Sequence, residues 1–237
     1  MSCPRLGHIV QDPLLQIRSM GKVIAIDGPS GAGKSTIAKM LAGRLGFIYL
    51  DTGALYRAVA LLFLMKGIRP DDDDSVLLQS LSGAEILFDR GIVTLNGKDV
   101  SADIRSPDVG HYSSVFSARK VVRDFLLGVQ REVSIGNDLV VEGRDTTTVI
   151  FPDALKKFYI DASVEERAKR RFRQLKEMGI DISEKMAEKD IMDRDKRDQG
   201  RDIAPLTRAK DAIIIDTTNK GIEQILEVIM EAIKSDP

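Results

Sequence analysis

Eight residues, Gly28 to Ser35, match the pattern G-x-x-x-x-G-K-[ST] at every fixed position. Their glycines allow the backbone to curl until successive N–H groups point inward, which makes a nest for phosphate oxygens. Lys34 is placed to reach the β- and γ-phosphates of a nucleotide, and the Ser35 hydroxyl to ligand Mg²⁺. This phosphate-binding loop (P-loop) therefore predicts binding of a nucleoside triphosphate with Mg²⁺, and it leaves open what accepts the phosphoryl group. The predicted nucleotide-binding residues are Gly28, Pro29, Ser30, Gly31, Ala32, Gly33, Lys34, Ser35 and Thr36.

The segments on either side of the P-loop have the patterns that such a loop requires. The short apolar run 23–26 indicates a buried parallel strand, and the apolar residues at 37, 40, 41 and 45 have helical spacing. A helix that begins near Lys34 would point the positive end of its dipole at the same phosphate. A glycine-rich turn without a ligand is the alternative, and it fits less well because both flanks agree with the motif.

Four further apolar runs alternate with helical patterns along the chain. They lie at 47–50, 138–142, 157–161 and 213–216. Five such strands predict an α/β protein of three layers, with a five-stranded parallel sheet between helices. In sheets of this kind ligands bind beyond the carboxyl ends of the strands. The P-loop and residues 51–52, 142–145 and 161 all fall at those ends.

Residues 84–100 interrupt the alternation. Two β-like runs, 85–88 and 92–95, are followed by Asn96-Gly97, which is a strong signal for a type I′ hairpin. We therefore predict a small antiparallel insertion at about 71–112 within a core of 21–70 and 113–237. One helix is expected to follow it, from about 117 to 135.

The stretch 165–202 is rich in charged residues and predicts helix. Ser163 precedes it as a cap, and Glu166 stands at the third position after the cap, as in a capping box. Gly179 indicates a break, so a second helical part is expected to follow it.

Composition excludes several other classes of protein. The 237 residues carry a net charge of −1, which gives no basic field for a nucleic acid polymer. Cys3 is the one cysteine, so no intramolecular disulfide can form, and two histidines leave no zinc constellation. The longest apolar run, 58–65, is too short to span a bilayer. We expect a cytoplasmic, monomeric protein that binds neither membrane nor nucleic acid.

Residues 1–20 are interpreted as an N-terminal extension that is disordered. They contain Pro4 and Pro13 and show no sustained periodicity, and they lack the continuous apolar core of a signal peptide. Met20 stands directly before the first strand, so we expect it to be the natural start of the protein.

Arginines occur where an acceptor phosphate would need them. Arg57 and Arg123 lie on predicted helices, and Arg144 follows the third core strand. A further set has the spacing of one helix face and consists of Arg194, Asp198 and Arg201. Guanidinium groups suit phosphate oxygens, and phosphoryl transfer needs positive charge around the migrating group. A surface ion pair is the alternative for each arginine taken alone, and it is least suitable for Arg144.

Five segments, taken in order, are more specific than the P-loop alone. They lie at 27–36, 51–57, 142–145, 149–154 and 194–206. The most distinctive read Asp-Thr-Gly-Ala-Leu-Tyr-Arg and Arg-Asp-x-x-x-x-Ile-Ala-Pro-Leu. Together they resemble the bacterial cytidylate kinases over the chain from about Met20 onwards. The resemblance implies a P-loop NTPase fold in which the antiparallel insertion binds the nucleoside monophosphate and the stretch at about 179–203 forms a helical lid.

The resemblance also implies a role for each matched residue. Contacts to the cytosine ring are implied for Thr52 and Asp145, with help from Arg123 and Arg201. Contacts to the monophosphate are implied for Arg57 and Arg144. Contacts to the sugar are implied for Ser114, Arg194 and Asp198. The family commonly has glycine where this chain has Thr147, so the loop backbone is expected either to change or to accommodate the threonine.

The predicted reaction is ATP with CMP or dCMP to ADP with CDP or dCDP, assisted by Mg²⁺. The acceptor phosphate is already anionic at neutral pH, so no general base is needed, and the predicted catalytic residues are Lys34, Arg144 and Arg194. A P-loop kinase of another small metabolite is the main alternative. A GTPase-type switch is disfavoured because Asn219-Lys220 is followed by Gly221 and Ile222, so the aspartate of the guanine-specifying Asn-Lys-x-Asp motif is missing. A nucleotide-binding protein without catalysis is disfavoured by the intact Lys34 and arginine set.

Overall fold

The computed structural model describes residues 20–89 and 91–235. The prediction of a disordered extension over 1–20 therefore lies outside the described residues, apart from Met20. This residue forms an isolated antiparallel bridge with Ile135. Within the described ranges, no helix has both the length and the apolar character needed to cross a membrane.

The chain forms two compact units, which are described separately. The first, here called the sheet unit, contains Lys22–Gly53 and the chain from Leu139 onwards. The second, here called the inserted unit, contains Ala54–Asp138 together with residues 20–21. The narrower boundaries that the sequence indicates for the insertion, 71–112, and for the lid stay predictions.

Strands and helices of the described residues are numbered in chain order. The strands are β1 Val23–Asp27, β2 Ile48–Asp51, β3 Ile86–Asp89, β4 Ile92–Leu95, β5 Lys98–Asp99, β6 Leu139–Glu142, β7 Lys156–Asp161 and β8 Ile213–Asp216. The helices are α1 Lys34–Leu45, α2 Thr52–Met65, α3 Asp74–Ser82, α4 Pro107–Phe116, α5 Lys120–Glu132, α6 Val164–Glu177, α7 Glu184–Gln199 and α8 Ile222–Lys234.

The sheet unit is built on five parallel strands in the order β2-β6-β1-β7-β8. Glu142 at the end of β6 pairs in register with Asp51 of β2 on one side and with Ile26 of β1 on the other. Because all five strands run in the same direction, their carboxyl ends meet at one edge of the sheet. The predicted α/β fold with a five-stranded parallel sheet is confirmed.

The core of the sheet unit explains why the strand patterns are apolar. Every residue of β1 is buried, and Ile24 and Ile26, two positions apart, point to the same face of the sheet. On that face they join one apolar cluster with residues of α1 and α8, such as Leu41 and Leu226. Burial of this kind is the main favourable term in folding. The sheet therefore gives a rigid base to the loops at its carboxyl edge.

The inserted unit contains the predicted antiparallel sheet, in the order β3-β4-β5. Ile86 pairs with Leu95 across the first two strands, and Leu95 pairs with Lys98 across the last two. The turn residues Asn96 and Gly97 have φ values of 51° and 79°. Positive φ at both central positions is what a type I′ turn requires, so the predicted hairpin is confirmed.

The predicted helix over 117–135 is present as α5, Lys120–Glu132. A separate helix that was not among the predicted elements, α4, comes before it, and the chain between these two helices is extended at Arg119, with ψ of 125°. Ser106 caps the first of them, since its hydroxyl accepts a hydrogen bond from the Val109 N–H at 3.4 Å, and Pro107 takes the first helical position. A serine followed by proline was the signal for this helix start.

The charge-rich stretch forms α6 and α7, which pack against each other. The Ser163 hydroxyl accepts a hydrogen bond from the Glu166 N–H at 3.2 Å, as a helix cap does. Gly179 follows α6 with a φ of 76°, which favours glycine because it has no Cβ. The predicted cap and break are both confirmed, but the reciprocal bond of a capping box is absent there, because the Ser163 N–H donates to the Thr218 hydroxyl instead.

Candidate active site

The P-loop of the sheet unit needs its glycines for close backbone approaches. Gly28 has a φ of 148°, and a Cβ added there would lie 1.9 Å from the Ile160 carbonyl oxygen. Gly31 has a φ of 77°, and its added Cβ would lie 2.9 Å from the Arg167 carbonyl oxygen. No side chain fits at the first position, so the loop is held tightly between β1 and the elements beside it. This is the curled backbone that a phosphate nest requires.

Lys34 is the first residue of α1, and its ammonium lies inside the P-loop. Its Nζ donates a hydrogen bond to the Pro29 carbonyl oxygen at 2.6 Å, and only 5% of the residue is exposed. Burial, with repulsion from Arg144 and Arg194, lowers the pKa of Lys34 to about 7. An anion bound at the loop would offset both effects, because it favours the charged form of a neighbouring lysine.

The carboxylate of Asp198 lies next to the three arginines of the sheet unit that the sequence predicts as substrate-binding residues. Its carboxylate, 1% exposed, accepts a hydrogen bond from the Arg144 Nε at 2.8 Å, pairs with Arg201, and lies 3.9 Å from the Arg194 Nε. Burial raises the pKa of Asp198, but the three arginines outweigh burial and hold this pKa below its ordinary value. The structure therefore brings Arg144, Arg194, Asp198 and Arg201 together.

Two carboxylates, Asp51 and Glu142, end adjacent strands of the sheet, and Glu142 lies near Ser35. Glu142 accepts a hydrogen bond from the Tyr49 hydroxyl at 2.9 Å, and the Ser35 side chain lies close enough to both groups to offset part of the rise in their pKa values. Burial and the neighbouring Asp51 raise the pKa of Glu142 above its ordinary value. Crowded carboxylate oxygens next to a hydroxyl are a donor set that suits a hard divalent cation. The residues present therefore fit the Mg²⁺ predicted at Ser35.

Thr52 is the first residue of α2, and its hydroxyl acts as a hydrogen-bond donor within the protein. Its hydroxyl donates a hydrogen bond to the Glu142 carbonyl oxygen at 2.8 Å, so its own oxygen keeps lone pairs for another donor. Gly143 allows this approach, because a Cβ there would lie 2.5 Å from the Thr52 Oγ1 and 2.7 Å from the Thr146 Cγ2. Asp145, also buried, comes directly before the π-helical turn Thr146–Ile150.

Thr147, where the family commonly has glycine, is accommodated. Asp27, at the end of β1, is fully buried. It accepts hydrogen bonds from the backbone N–H of Thr146 at 2.9 Å and of Thr147 at 2.7 Å. The two threonine hydroxyls also donate to it, at 2.7 and 2.5 Å. Thr147 does not have the positive φ that would favour glycine, and its hydroxyl adds a hydrogen bond that glycine could not make.

The inserted unit holds the other predicted substrate residues. Arg123 is buried, donates a hydrogen bond to the Ser117 carbonyl oxygen at 3.1 Å, and lies 5.6 Å from the centre of the Tyr56 ring. The Ser117 hydroxyl donates to the Ser114 carbonyl oxygen at 2.8 Å. Arg57 follows Tyr56 on α2 and is half-buried. Ser114 and Arg123 are thus joined through Ser117.

Sequence reasoning missed some residues that the structure places against predicted ones. They are Asp51, Glu142, Arg167 and Asp195. The sequence already indicates that the first two end core strands at the edge where ligands bind, but it assigns no role to either of them. The last two lie among many charged residues of α6 and α7, where the sequence does not separate buried charges from solvated ones.

Comparison with known proteins gives consistent matches over most of the chain. A family model described as cytidylate kinase matches residues 24–235. A cytidylate kinase of Thermodesulfovibrio yellowstonii is 49% identical over 221 residues, which cover 92% of this chain and 100% of the relative. One of Geobacter sulfurreducens is 49% identical over 211 residues, with 87% and 90% covered. One of Thermosipho melanesiensis is 46% identical over 211 residues, with 89% and 96% covered.

Proposed function

This chain belongs to the cytidylate kinase family, and from that premise we propose that it transfers the γ-phosphoryl group of ATP to CMP or dCMP. The observation that carries the proposal is the set of cations in the sheet unit. Lys34 lies inside the P-loop, where burial and the charges of the nearby Arg144 and Arg194 lower its pKa. Such a set suits the charge that spreads over a phosphoryl group during transfer.

The P-loop is the proposed donor site. Its N–H groups and the N-terminus of α1 would bind the β- and γ-phosphates, which compensates for the burial of Lys34. The ammonium of Lys34 would exchange the Pro29 carbonyl for a phosphate oxygen. Ser35, Asp51 and Glu142 would hold Mg²⁺, which when bound neutralises phosphate charge. These residues thus fix the donor before transfer.

The acceptor phosphate needs no general base, because its oxygen is already anionic at neutral pH. Arg144, with Arg57, would hold this phosphate, and Arg194 would offset the charge that develops between donor and acceptor. Ser114, Arg194 and Asp198 are the proposed sugar contacts. The segment at about 179–203 is the proposed lid. Closure of a lid only on the loaded site would exclude water as a competing acceptor.

The polarity of Thr52 supports a preference for cytosine over uracil. Its hydroxyl hydrogen is used by the Glu142 carbonyl, so its oxygen can only accept from a ligand. Cytosine presents an amino donor at N4, whereas uracil presents a carbonyl oxygen there. The carboxylate of Asp145 would accept from the same amino group, and Arg123 and Arg201 would donate to the ring acceptors. Uracil would place an oxygen against two acceptors.

A coupled ADP-release assay with ATP and Mg²⁺ tests the proposal across acceptors. CMP, dCMP, UMP, AMP and GMP are compared at equal concentration with the same protein sample. We expect fast turnover with CMP and dCMP and weak turnover with UMP. Turnover dominated by AMP or UMP would contradict the cytosine contacts proposed for Thr52 and Asp145. Absence of turnover with all five would contradict the proposed function and favour the kinase of another small metabolite.

A further inference from the structure

A buried carboxylate of α7 reaches the P-loop within the sheet unit. Asp195 is 7% exposed, although it lies in one of the most charged stretches of the chain. Its Oδ1 accepts a hydrogen bond from the Ser30 backbone N–H at 2.9 Å, and its Oδ2 pairs with Arg167. Both oxygens of this carboxylate therefore have partners, one in the P-loop and one on α6.

Arg167 completes the connection from the other side. Its Nη1 donates to the Ser30 carbonyl oxygen at 2.9 Å as well as to Asp195, and its Nε donates to the Ala162 carbonyl oxygen at 3.1 Å. The N–H and the carbonyl of Ser30 are thus both held, the first by α7 and the second by α6. The three groups form a closed ring, which we call the Ser30 clamp and define as Ser30, Arg167 and Asp195.

A second contact to the P-loop shows what is particular to this clamp. The Ala32 carbonyl oxygen accepts hydrogen bonds from Arg170 at 3.2 Å and from the Thr217 hydroxyl at 3.0 Å. Neither of these donors lies on α7. They steady the loop itself, whereas Asp195 joins the loop to the helix that carries Arg194 and Asp198.

The contact between Asp195 and the P-loop also determines where Arg194 lies. Arg194 precedes Asp195 in the chain, so the position of one on α7 fixes the backbone of the other. Asp198 lies almost one helical turn after Asp195 and pairs with Arg144 and Arg201. We propose that Asp195 is a positioning residue, which fixes α7 on the P-loop through the Ser30 clamp and thereby sets where Arg194 stands over the phosphates. This inference rests on the proposed phosphoryl transfer.

Asp195→Asn tests the clamp with little change of shape. The amide oxygen can still accept from the Ser30 N–H, but the side chain loses the charge that pairs with Arg167. A misplacement of about 1 Å at a reacting group can lower a rate about 100-fold, so we expect kcat to fall roughly 10- to 100-fold. The KM for CMP should rise as well, because the displaced Arg194 is also a proposed contact to the CMP sugar. Asp193→Asn, an exposed position on the same helix, is the matched control and should keep the wild-type kcat.

A double variant tests whether Asp195 acts through Arg194. We expect Arg194→Ala combined with Asp195→Asn to have the same kcat as Arg194→Ala alone, because the positioned group is already missing. Independent, multiplying losses would overturn the inference. An Asp195→Asn protein with the wild-type kcat would overturn it as well, and would leave the proposed function intact.

Amide hydrogen exchange gives a second measurement that needs no turnover. In the wild type, the Ser30 amide should exchange at least about tenfold more slowly than in Asp195→Ala, because the variant lacks its acceptor. Equal exchange in the two proteins would overturn the clamp. A wild-type protein that forms no CDP would contradict the proposed function alone, since the exchange measurement would still decide whether Asp195 holds the loop.

Discussion

At the scale of the residue, Asp198 shows how one buried carboxylate can organise several cations. The side chain would be expensive to bury alone, but Arg144, Arg194 and Arg201 surround it and make its charged form favourable. The same carboxylate keeps these arginines close together in spite of their mutual repulsion. The arrangement leaves a net positive charge, which the proposed phosphoryl transfer would use.

Substitution of Asp198 by Asn should make the protein less stable in a pH-dependent way. The folded-state pKa of Asp198 is lowered, so the folded protein binds fewer protons than the unfolded chain below the ordinary aspartate pKa of about 3.9. The ion pairs therefore stabilise the wild type above that pH and are lost as the pH falls below it. We expect Asp198→Asn to lower the free energy of unfolding by about 3 kcal/mol at pH 7.

Urea unfolding at a series of pH values measures this effect. The difference between the wild type and Asp198→Asn should narrow as the pH falls from about 4 towards 2. Asp193→Asn, exposed on the same helix, is the control and should follow the wild type throughout. A difference that stayed constant over this range would show that the charge of Asp198 is not what stabilises the fold.

Replacement of Thr52 should change the choice between bases. Thr52→Val removes the hydroxyl oxygen that would accept from the cytosine amino group and would oppose the uracil carbonyl. Loss of one such hydrogen bond corresponds to about 1 kcal/mol, so the preference for CMP over UMP should fall by roughly five- to tenfold.

The measurement is kcat/KM for both monophosphates, with Thr52→Ser as the control that keeps the hydroxyl. We expect Thr52→Ser to retain the wild-type preference. A Thr52→Val protein with an unchanged CMP to UMP ratio would remove Thr52 from the cytosine contacts.

At the scale of the element, the turn after β6 is fixed by close packing and by Asp27. Gly143 lies where any Cβ would collide with Thr52 and Thr146, and the carboxylate of Asp27 holds Thr146 and Thr147 by four hydrogen bonds. Because Asp27 directly precedes the P-loop, the donor loop and the segment that carries Arg144 and Asp145 share one support.

The hydroxyl of Thr147 should contribute measurably to that support. Thr147→Val keeps the shape of the side chain and removes its hydrogen bond to a carboxylate, which should lower the free energy of unfolding by about 1.5–3 kcal/mol. Thr147→Ser keeps the donor and should lie closer to the wild type. Denaturant unfolding monitored by circular dichroism makes the comparison, and equal midpoints for all three proteins would contradict it.

Two glycine substitutions should have opposite effects. Gly143→Ala places a Cβ within 2.5 Å of the Thr52 Oγ1, so we expect a loss of about 1–3 kcal/mol in stability together with weaker CMP binding. Gly128 is exposed on α5 with no atom near its added Cβ, so Gly128→Ala should stabilise the protein by up to about 1 kcal/mol. Thermal unfolding of both variants measures the contrast. A Gly143→Ala protein as stable as Gly128→Ala would show that the turn yields easily.

At the scale of the whole molecule, sequence patterns predict what depends on neighbours in the chain. The first strand, expected at 23–26, extends one residue further in the structure, and the hairpin at 96–97 has the expected turn. Such features are decided by residues close together in the chain, through the spacing of apolar residues and the types of residue in the turn. The separate helix α4 could have been predicted from its cap, Ser106, and the proline that follows it.

Other features depend on residues far apart in the chain, so patterns alone could not predict them. The Ser30 N–H meets Asp195 across 165 positions, and the burial of that carboxylate depends on Arg167. The lowered pKa of Lys34 likewise depends on its burial and on Arg144 and Arg194, which stand near it in space. Charged residues are more often solvated than buried, so a charge-rich helix gives no local sign of which ones turn inward.

The most direct test of the central claim is to identify the products of one reaction mixture. Purified protein is incubated with ATP, Mg²⁺ and CMP, and the nucleotides are separated by ion-exchange chromatography over time. Phosphoryl transfer predicts that ADP and CDP appear in equal amounts while ATP and CMP fall together, and that Arg194→Ala slows both products alike. ADP without CDP would mean hydrolysis of ATP, and it would contradict the proposed transfer to CMP.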